Sequence, residues 1–406
     1  MNMPIPSPDG RDALRVAVVT ETYPPEVNGV ARTVGLMVEA LCERGHEVQL
    51  VRPRQRDEPA LPMDEGPEQK LVPGMPIPFY RHLQMGFAPP ELLQAEWSVR
   101  RPDIVHVVTE GPLGWAATST ARRLGIPTCS DFHTNFHSYS RHYGMGVLAG
   151  IVSRYLRFLH NRTGCTLVPT AEMRASLEAA GYERVEVVGR GVDTLLFSPA
   201  RRSDRLRSAW GCRGGETVAL YVGRIAPEKN LALFIRAALA MRAEDPSLRV
   251  VLVGDGPQSA ELRARHPDFV FAGMRTGADL AEHYASADTF LFPSTTETFG
   301  NVTLEAMASG LAVVAYDYAA ARQYLRHQAS ALLAPTHDGA AFVAMAERLA
   351  KQPELVSRLR VEARRIAETV SWCRTFDDLE RVLRNVIRAH RAGTDAVPEE
   401  SVHVET

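Results

Sequence analysis

Short apolar runs, each about the length of one β-strand, alternate along this chain with longer segments whose apolar residues recur at helical spacing. The first run covers residues 15–20, and Val30, Val34, Val38 and Leu41 follow it on one face of a predicted helix. This alternation predicts βαβ units, in which crossover helices cover both faces of a mostly parallel sheet. We therefore predict a doubly wound α/β fold.

The same alternation restarts in the second half of the chain. Residues 217–223, 249–254 and 289–293 are apolar runs, and helical spacing covers 231–241 after Asn230, a predicted N-cap. Because 406 residues suffice for two domains of ordinary size, we predict two doubly wound domains that leave a cleft between them.

The predicted domain limits follow from where the pattern pauses and where it ends. A short Ser-Pro segment near residue 198 separates the two halves, and residues 372–388 have the pattern of a last helix. The polar, acidic residues after that helix are typical of a disordered tail. The predicted segments are an N-terminal domain at 1–198, a second domain at 199–370, a C-terminal helix at 371–391 and a tail at 392–406.

Composition excludes several classes of protein. A net charge of −2 gives no overall basic surface for nucleic acid. The longest apolar run, at 145–152, is too short to span a bilayer, and the first residues lack the pattern of a signal peptide. The five cysteines show no metal-type or disulfide-type spacing, as expected in a reducing compartment. We therefore predict a cytoplasmic protein.

The segment from Glu297 to Glu305 carries the first candidate site. Two carboxylates eight residues apart flank Gly300, at a predicted turn from a strand into a helix. A helix that begins at such a turn presents free backbone N–H groups and the positive end of its dipole to an anion. The acidic pair alone is equally compatible with helix capping or a solvent-exposed face.

A second candidate loop follows the strand at 217–223. Arg224 and Lys229 both come from it, and two cations at the end of a parallel strand could bind a diphosphate. Ordinary solvent-exposed charge is the alternative for this loop taken alone. The two loops support each other, because one supplies cations and the other a helix N-terminus and acids.

Together these motifs resemble the retaining GT-B glycosyltransferases of family four, over about residues 14 to 390. The resemblance also includes Gly254-Asp-Gly-Pro257, the loop ending at Asn28-Gly29, and His133. Residues 21–32, 131–137 and 189–193 look like the branch that contains GDP-mannose-dependent α-mannosyltransferases and glycolipid glycosyltransferases. The implied fold is GT-B, with two Rossmann-like domains facing an interdomain cleft and a last helix that crosses back to the first domain.

The resemblance implies roles in the second domain. Arg224 and Lys229 would neutralise the departing nucleoside diphosphate, Glu305 would bind the ribose, and Glu297 would lie near the donor sugar as a catalytic residue. The remaining nucleotide-sugar contacts are implied at Met274 for the base, at Phe299 and Gly300 for the sugar, and at Gly300, Asn301 and Val302 for the diphosphate. The chain has no Asp-x-Asp triplet, so the implied enzyme needs no metal or other cofactor.

The resemblance also implies roles in the first domain. His133 would be a catalytic residue in contact with the sugar, and backbone at Gly29 would approach the diphosphate. Asn28 and His137 are assigned to the acceptor.

The implied reaction moves a hexose from a nucleotide sugar to a glycolipid or saccharide acceptor, with the anomeric configuration retained. GDP-mannose is the favoured donor, and UDP-glucose or another UDP-hexose is the alternative. A sugar-nucleotide 2-epimerase and a non-catalytic sugar-nucleotide sensor are more distant alternatives. Residues 141–162 mix apolar residues with arginines, which predicts an amphipathic surface helix. A helix that lies on the inner membrane face, as a peripheral contact, is the alternative.

Overall fold

The fold is described from a computed structural model, for residues 13–26, 28–54, 67–77, 80–133 and 146–393. The chain divides into two compact units. The first takes in the described residues up to 133, residues 147–188 and the chain from Phe376 onward, and the second includes Gly189–Thr375. The predicted limits at 1–198 and 199–370 remain predictions, and the predicted tail lies outside the described residues from 394 onward.

The first unit is built from short strands joined by helices. Its strands are β1 (Arg15–Val19), β2 (Glu47–Pro53), β3 (Glu68–Val72), β4 (Gly74–Ile77), β5 (Tyr80–Gly86), β6 (Ile104–Val107), β7 (Thr128–Asp131), β8 (Cys165–Val168) and β9 (Val185–Val187). Its helices are α1 (Gly29–Glu43), α2 (Pro90–Val99), α3 (Pro112–Arg123), α4 (Gly146–His160) and α5 (Ala171–Ala179).

Seven of these strands form one parallel sheet in the order β3-β2-β1-β6-β7-β8-β9. Strands β4 and β5 form a separate antiparallel pair. The strand order reverses between β1 and β6, so the loops after these two strands lie beside each other at the carboxyl edge of the sheet. The backbone N–H of Glu21, after β1, accordingly donates to Thr109 Oγ1, after β6, at 2.8 Å.

The second unit repeats this plan. Its strands are β10 (Val218–Val222), β11 (Arg249–Val253), β12 (Val270–Gly273), β13 (Thr289–Phe292), β14 (Ala312–Tyr316) and β15 (Leu332–Ala334). Its helices are α6 (Asp204–Ala209), α7 (Leu231–Glu244), α8 (Ser259–Arg265), α9 (Gly277–Ala285), α10 (Asn301–Ala308), α11 (Ala319–Tyr324), α12 (Gly339–Lys351) and α13 (Pro353–Ala367), and α14 (Trp372–Arg391) runs from this unit into residues of the first.

The sheet of the second unit is also parallel, in the order β12-β11-β10-β13-β14-β15. Its order reverses between β10 and β13, which is where open α/β sheets bind their ligands. Both strands are fully buried, because helices cover both faces of the sheet. The two predicted site loops, after β10 and after β13, therefore lie on either side of this reversal.

The C-terminal residues of α14 are attached to the first unit by charged side chains. Arg44, at the end of α1, lies 2.7 Å from Asp377 and 3.3 Å from Glu380, and Arg384 also pairs with Glu380 at 2.7 Å. Burial would raise the pKa of Glu380, but its bond to Arg384 and the nearby charge of His46 lower the pKa overall. The carboxylate is therefore stabilised as an anion between α1 and α14.

One predicted helix start is wrong in detail. Asn230 does precede α7, but it adopts a left-handed conformation and its side chain makes no capping bond to the helix. Its Nδ2 instead donates to the carbonyl of Pro293 at 3.4 Å, in the loop after β13. The side chain therefore links the two site loops.

Across the part of the chain that the structure describes, no helix has both the length and the apolar character needed to cross a bilayer.

Candidate functional site

Arg224 is held by a buried acid from its own loop. Its Nη2 lies 2.6 Å from Oε1 of Glu228, whose side chain is only 1% exposed, whereas that of Arg224 is 39% exposed. The Tyr221 hydroxyl donates to the Arg224 carbonyl at 2.9 Å. Burial raises the pKa of Tyr221 well above its ordinary value, and the charges of Glu297 and Glu228 raise it further, so this hydroxyl stays a donor. The guanidinium is thus anchored at one end and accessible at the other.

Lys229 and Glu297 form an ion pair across the two loops. Lys229 Nζ lies 2.5 Å from Glu297 Oε1, and both side chains are about five-sixths buried. The Ser294 hydroxyl donates to the same carboxylate oxygen at 2.7 Å, and the Tyr318 hydroxyl donates to the Glu297 carbonyl at 2.7 Å. The predicted cation loop and acidic loop therefore meet in one cluster, with Glu297 held in place by side chain and backbone.

The Gly-Asp-Gly-Pro turn at residues 254–257, after β11, packs against the loop that carries Arg224 and Lys229. A Cβ on Gly254, whose φ is +132°, would lie 2.0 Å from the carbonyl oxygen of Gly223, so no larger residue fits there. Ile225 N–H donates to the Asp255 carbonyl at 2.9 Å, and Gln258 N–H donates back to Ile225 at 3.1 Å. This turn positions the loop that carries Arg224.

Gly300 starts helix α10 in the predicted way. It is the N-cap residue, with φ +89° and ψ +62°, a left-handed conformation that favours glycine. Asn301 and Val302 are the first helical residues and are half-buried. The first N–H groups of a helix have no partner within it, so this end of α10 offers donors and a positive dipole end to an anion.

Glu305 is buried one turn further along α10. Its residue exposure is 5%, and its Oε2 accepts a hydrogen bond from the Tyr284 hydroxyl of α9 at 3.0 Å.

Phe299 is also buried and packs edge-on against Tyr324 with ring centroids 6.1 Å apart. The Phe299 ring is part of the hydrophobic core, and the Phe299 carbonyl accepts from Ala320 N–H at 2.9 Å. Met274, after β12, is 53% exposed.

In the first unit, His133 lies just after β7 and is tied to Asp131. His133 Nε2 is 3.0 Å from Asp131 Oδ2, and His106 Nε2, on the neighbouring strand β6, is 2.7 Å from Asp131 Oδ1. The side chain of His133 is only 6% exposed. The predicted histidine is therefore part of a buried pair of histidines that share one carboxylate.

The loop after β1 contains the other predicted residues of this unit. Asn28 is the N-cap of α1, and its Oδ1 accepts from Ala31 N–H at 2.8 Å while its Nδ2 donates to Thr22 Oγ1 at 2.8 Å. This capping gives Asn28 a structural role that the sequence did not suggest. Gly29 is the first helical residue and is exposed. His137 lies outside the described residues.

The same loop carries a buried acid that the sequence reading missed. Glu21 Oε1 accepts from the N–H groups of Leu113 at 3.2 Å and Gly86 at 3.3 Å. Burial raises the pKa of Glu21 to about 7, against the lowering effect of these backbone bonds and with a further rise from Glu110. Glu21 therefore titrates near neutral pH.

Other supporting residues were missed as well. Glu228 follows Arg224 by four residues, but this spacing predicts an ion pair only within a helix, and Arg224 lies in the loop before the short helical turn Pro227–Lys229. Tyr284, Tyr318 and His106 carried no sequence signal either, since their partners Glu305, Glu297 and Asp131 are distant in sequence. Ser294 lies three residues before its partner Glu297, in the same loop. Among the described residues, no group of three or more His, Cys, Asp or Glu could hold a metal ion.

Comparison with known proteins follows the same division of the chain. Residues 27–195 match the family described as Glycosyltransferase Family 4, and residues 216–352 match Glycosyl transferases group 1. A GDP-mannose-dependent alpha-mannosyltransferase of Mycobacterium tuberculosis is 35% identical over 324 residues, 79% of this chain and 84% of that protein. One of the same name from Mycolicibacterium smegmatis is 37% identical over 309 residues, 75% of this chain and 80% of that protein.

A solved structure has the same fold at lower identity. Sucrose-phosphate synthase from Thermosynechococcus elongatus superposes with a TM-score of 0.75 at 18% identity, covering 93% of this chain and 100% of that one. The predicted GT-B fold with two α/β domains and the predicted hexosyltransferase class are confirmed. With two relatives above 30% identity over most of their length, this chain belongs to the group 1 glycosyl transferases of glycosyltransferase family 4.

Proposed function

We propose that this protein transfers mannose from GDP-mannose to a glycolipid or saccharide acceptor, with retention of the anomeric configuration. The donor follows from relatives named GDP-mannose-dependent alpha-mannosyltransferase. The observation that carries a nucleotide-sugar site is the Lys229–Glu297 ion pair, placed where the second sheet reverses its strand order and beside the N-terminus of α10. A diphosphate at this point would meet cations and helix N–H groups together.

The diphosphate is bound by Arg224 and Lys229 in this proposal. Each cation is paired with one carboxylate, Glu228 or Glu297, so the cluster of four side chains is neutral as a set. An arriving diphosphate brings the negative charge that these cations can share. Their stabilisation of that charge is largest as the diphosphate separates from the sugar, because its negative charge grows at that step. The backbone amides at Gly300, Asn301 and Val302 add donors of fixed orientation.

The rest of the donor is placed around this cluster. Glu305 binds the ribose hydroxyls, and exposed Met274 lies against the base. Glu297 contacts the hexose or stabilises positive charge that develops on it, while the backbone of Phe299 and Gly300 positions the sugar. The contact with Lys229 holds the Glu297 carboxylate in place for either role.

From the first domain, His133 contacts the donor sugar as a catalytic residue, and Gly29 allows close approach of backbone to the diphosphate. Asn28 and His137 remain assigned to the acceptor, the first with its capping bond as a competing role. The domain limits 1–198, 199–370 and 371–391 belong to the same proposal. Domain closure would exclude water, whose attack on the donor is the competing reaction.

Reaction without a metal is also part of the proposal, since protein cations and a helix dipole can carry the diphosphate charge. A UDP-hexose is the alternative donor, because guanine and uracil can both be held through backbone. A 2-epimerase would release free sugar without an acceptor, and a sensor would bind donor without turnover.

A cytoplasmic location with contact at the inner membrane face is a separate proposal. Helix α4 exposes Ile151 by 62% and Phe158 by 50%, and the Arg162 guanidinium lies 4.9 Å from the Phe158 ring centroid. Apolar side chains beside arginine suit an anionic lipid surface. Co-sedimentation with anionic but not neutral vesicles, lost in the Ile151→Ser/Phe158→Ser double variant, is the expected result; equal sedimentation with and without vesicles contradicts it.

A donor panel tests the proposed function. GDP-mannose, GDP, UDP-glucose and UDP are compared by thermal shift, with magnesium and with EDTA, and transfer is followed with labelled sugar. A ligand at 100 times its Kd stabilises the folded state by about 2.7 kcal/mol. We expect GDP-mannose to raise Tm equally in both buffers. Loss of the shift in EDTA refutes metal independence, and no shift with any donor refutes the transferase site.

A further inference from the structure

Strand β7 ends in two polar side chains that point to opposite faces of a sheet buried on both. Successive residues of a strand point to opposite faces, so Ser130 and Asp131 cannot share partners. Ser130 Oγ lies 2.9 Å from His160 Nδ1, whereas Asp131 meets His106 and His133. The cluster of Asp131, His106 and His133 is therefore separate from the cluster around Ser130.

Asp131 is buried, with 8% of its side chain exposed, and His106 is fully buried. Burial alone would raise the pKa of Asp131, but the charge and hydrogen bond of His106 and the bond from His133 outweigh it. The pKa of Asp131 accordingly lies below its ordinary value, and the side chain is a carboxylate. Buried charges in proteins are paired, and strongly perturbed ionisable groups cluster at functional sites.

Both carboxylate oxygens are committed, one to each histidine. A carboxylate can only accept, so the atom of His133 that faces Asp131 must carry its proton, and that atom is Nε2. Nδ1 is then the ring nitrogen that faces other groups. His106 fixes the carboxylate from the opposite side, because it lies on β6, the hydrogen-bonded neighbour of β7.

We propose that Asp131, itself held by His106, is the positioning residue that sets the orientation and tautomer of His133 for sugar transfer. The inference rests on the proposed function, in which His133 touches the donor sugar. Asp131 acts only through His133 and has no contact of its own with the substrate.

A double-mutant cycle separates this role from a purely structural one. Asp131→Asn keeps the volume of the side chain, and we expect it to lower kcat/KM about 10- to 100-fold through a misplaced ring. In the His133→Ala background the same substitution should cause no further loss. Glu110→Gln is the matched control, since Glu110 is another buried acid of this unit, 3.6 Å from His160. Its effect should be equal in both backgrounds.

A second measurement does not depend on turnover. Long-range proton–nitrogen correlation spectra of wild-type protein labelled on histidine report which ring nitrogen of His133 is protonated, with the signal assigned from its loss in His133→Ala. We expect a proton on Nε2.

Each outcome decides the inference. A His133 ring protonated only on Nδ1 overturns it, as does wild-type activity in Asp131→Asn, or an equal loss from Asp131→Asn with and without His133. If the wild-type protein transfers no sugar from any donor, the proposed function falls, and the nuclear magnetic resonance result still decides whether Asp131 sets the His133 tautomer.

Discussion

Lys229 Nζ lies 2.5 Å from Glu297 Oε1, although the two residues are 68 positions apart in the chain. One follows β10 and the other follows β13, and these strands are neighbours in the parallel sheet. Their contact joins Lys229, the side chain predicted to bind the diphosphate, to Glu297, the side chain predicted to contact the sugar. Each side chain of the pair also neutralises the charge of the other.

Removing the Lys229 charge should therefore slow the reaction. Lys229→Met keeps most of the side-chain length, and we expect kcat to fall about 10²- to 10³-fold, as for other single groups that stabilise transition-state charge. The matched control is Lys351→Met in the same unit, where the half-exposed lysine pairs with Glu244 at 3.4 Å. Steady-state kinetics of both variants check this, and equal rates for the two would remove Lys229 from the leaving-group role.

Glu228 should matter through Arg224. Glu228→Gln keeps the shape of the side chain but replaces the ion pair with the guanidinium by a weaker neutral contact. We expect kcat/KM to fall about tenfold, since a bidentate cation works only in the right orientation. Glu261→Gln is the control, because Glu261 and Arg265 form an i,i+4 pair on the exposed surface of α8. Unchanged kinetics in Glu228→Gln would show that the buried acid serves folding alone.

Glu305 and Tyr284 should separate donor binding from stability. Glu305→Gln retains an acceptor for the Tyr284 hydroxyl but loses the carboxylate, so we expect KM for the donor to rise about tenfold while Tm stays close to wild type. Tyr284→Phe removes the hydrogen bond and leaves the acid, so it should lower stability by about 1 kcal/mol with nearly normal KM. A normal donor KM in Glu305→Gln makes the ribose assignment wrong.

The raised pKa of Glu21 predicts a pH-dependent stability. Its pKa is about 7 in the folded protein against an ordinary 4.5, so the folded state binds this proton more tightly than the unfolded state. The associated stabilisation is complete below pH 4.5 and is lost as pH rises through 7, with an upper limit of about 3 kcal/mol. Glu21→Gln, which mimics the protonated acid, should gain stability relative to wild type as pH rises from 5 to 8.

Thermal unfolding at pH 5, 6, 7 and 8 measures this difference. The control is Glu178→Gln on the exposed face of α5, where the acid pairs with Arg174 at 2.8 Å in solvent. Its Tm relative to wild type should stay nearly constant over the same range, since exposed pairs contribute little. A Glu21→Gln curve parallel to wild type at all four values would refute titration of Glu21.

The sequence by itself determined the class of fold and which loops form the candidate site. Apolar strands alternating with amphipathic helices allow few arrangements other than parallel sheets covered on both faces, and Gly300 marks a turn that only glycine adopts easily. The Arg224 and Lys229 loop could be recognised because its residues are close in sequence.

Only the tertiary structure decided which side chains of the candidate site contact each other. Periodicity specifies which face of a strand is buried, but it contains no information on which strands are neighbours, so the Lys229–Glu297 and Asp131–His106 contacts could not be predicted. Burial of Asp131 and Glu21 likewise depends on groups that arrive from distant segments. The sequence thus determined which residues carry charge and where the turns lie, while strand order determined which charges meet, because hydrogen bonds and ion pairs require atoms within about 3 Å of each other.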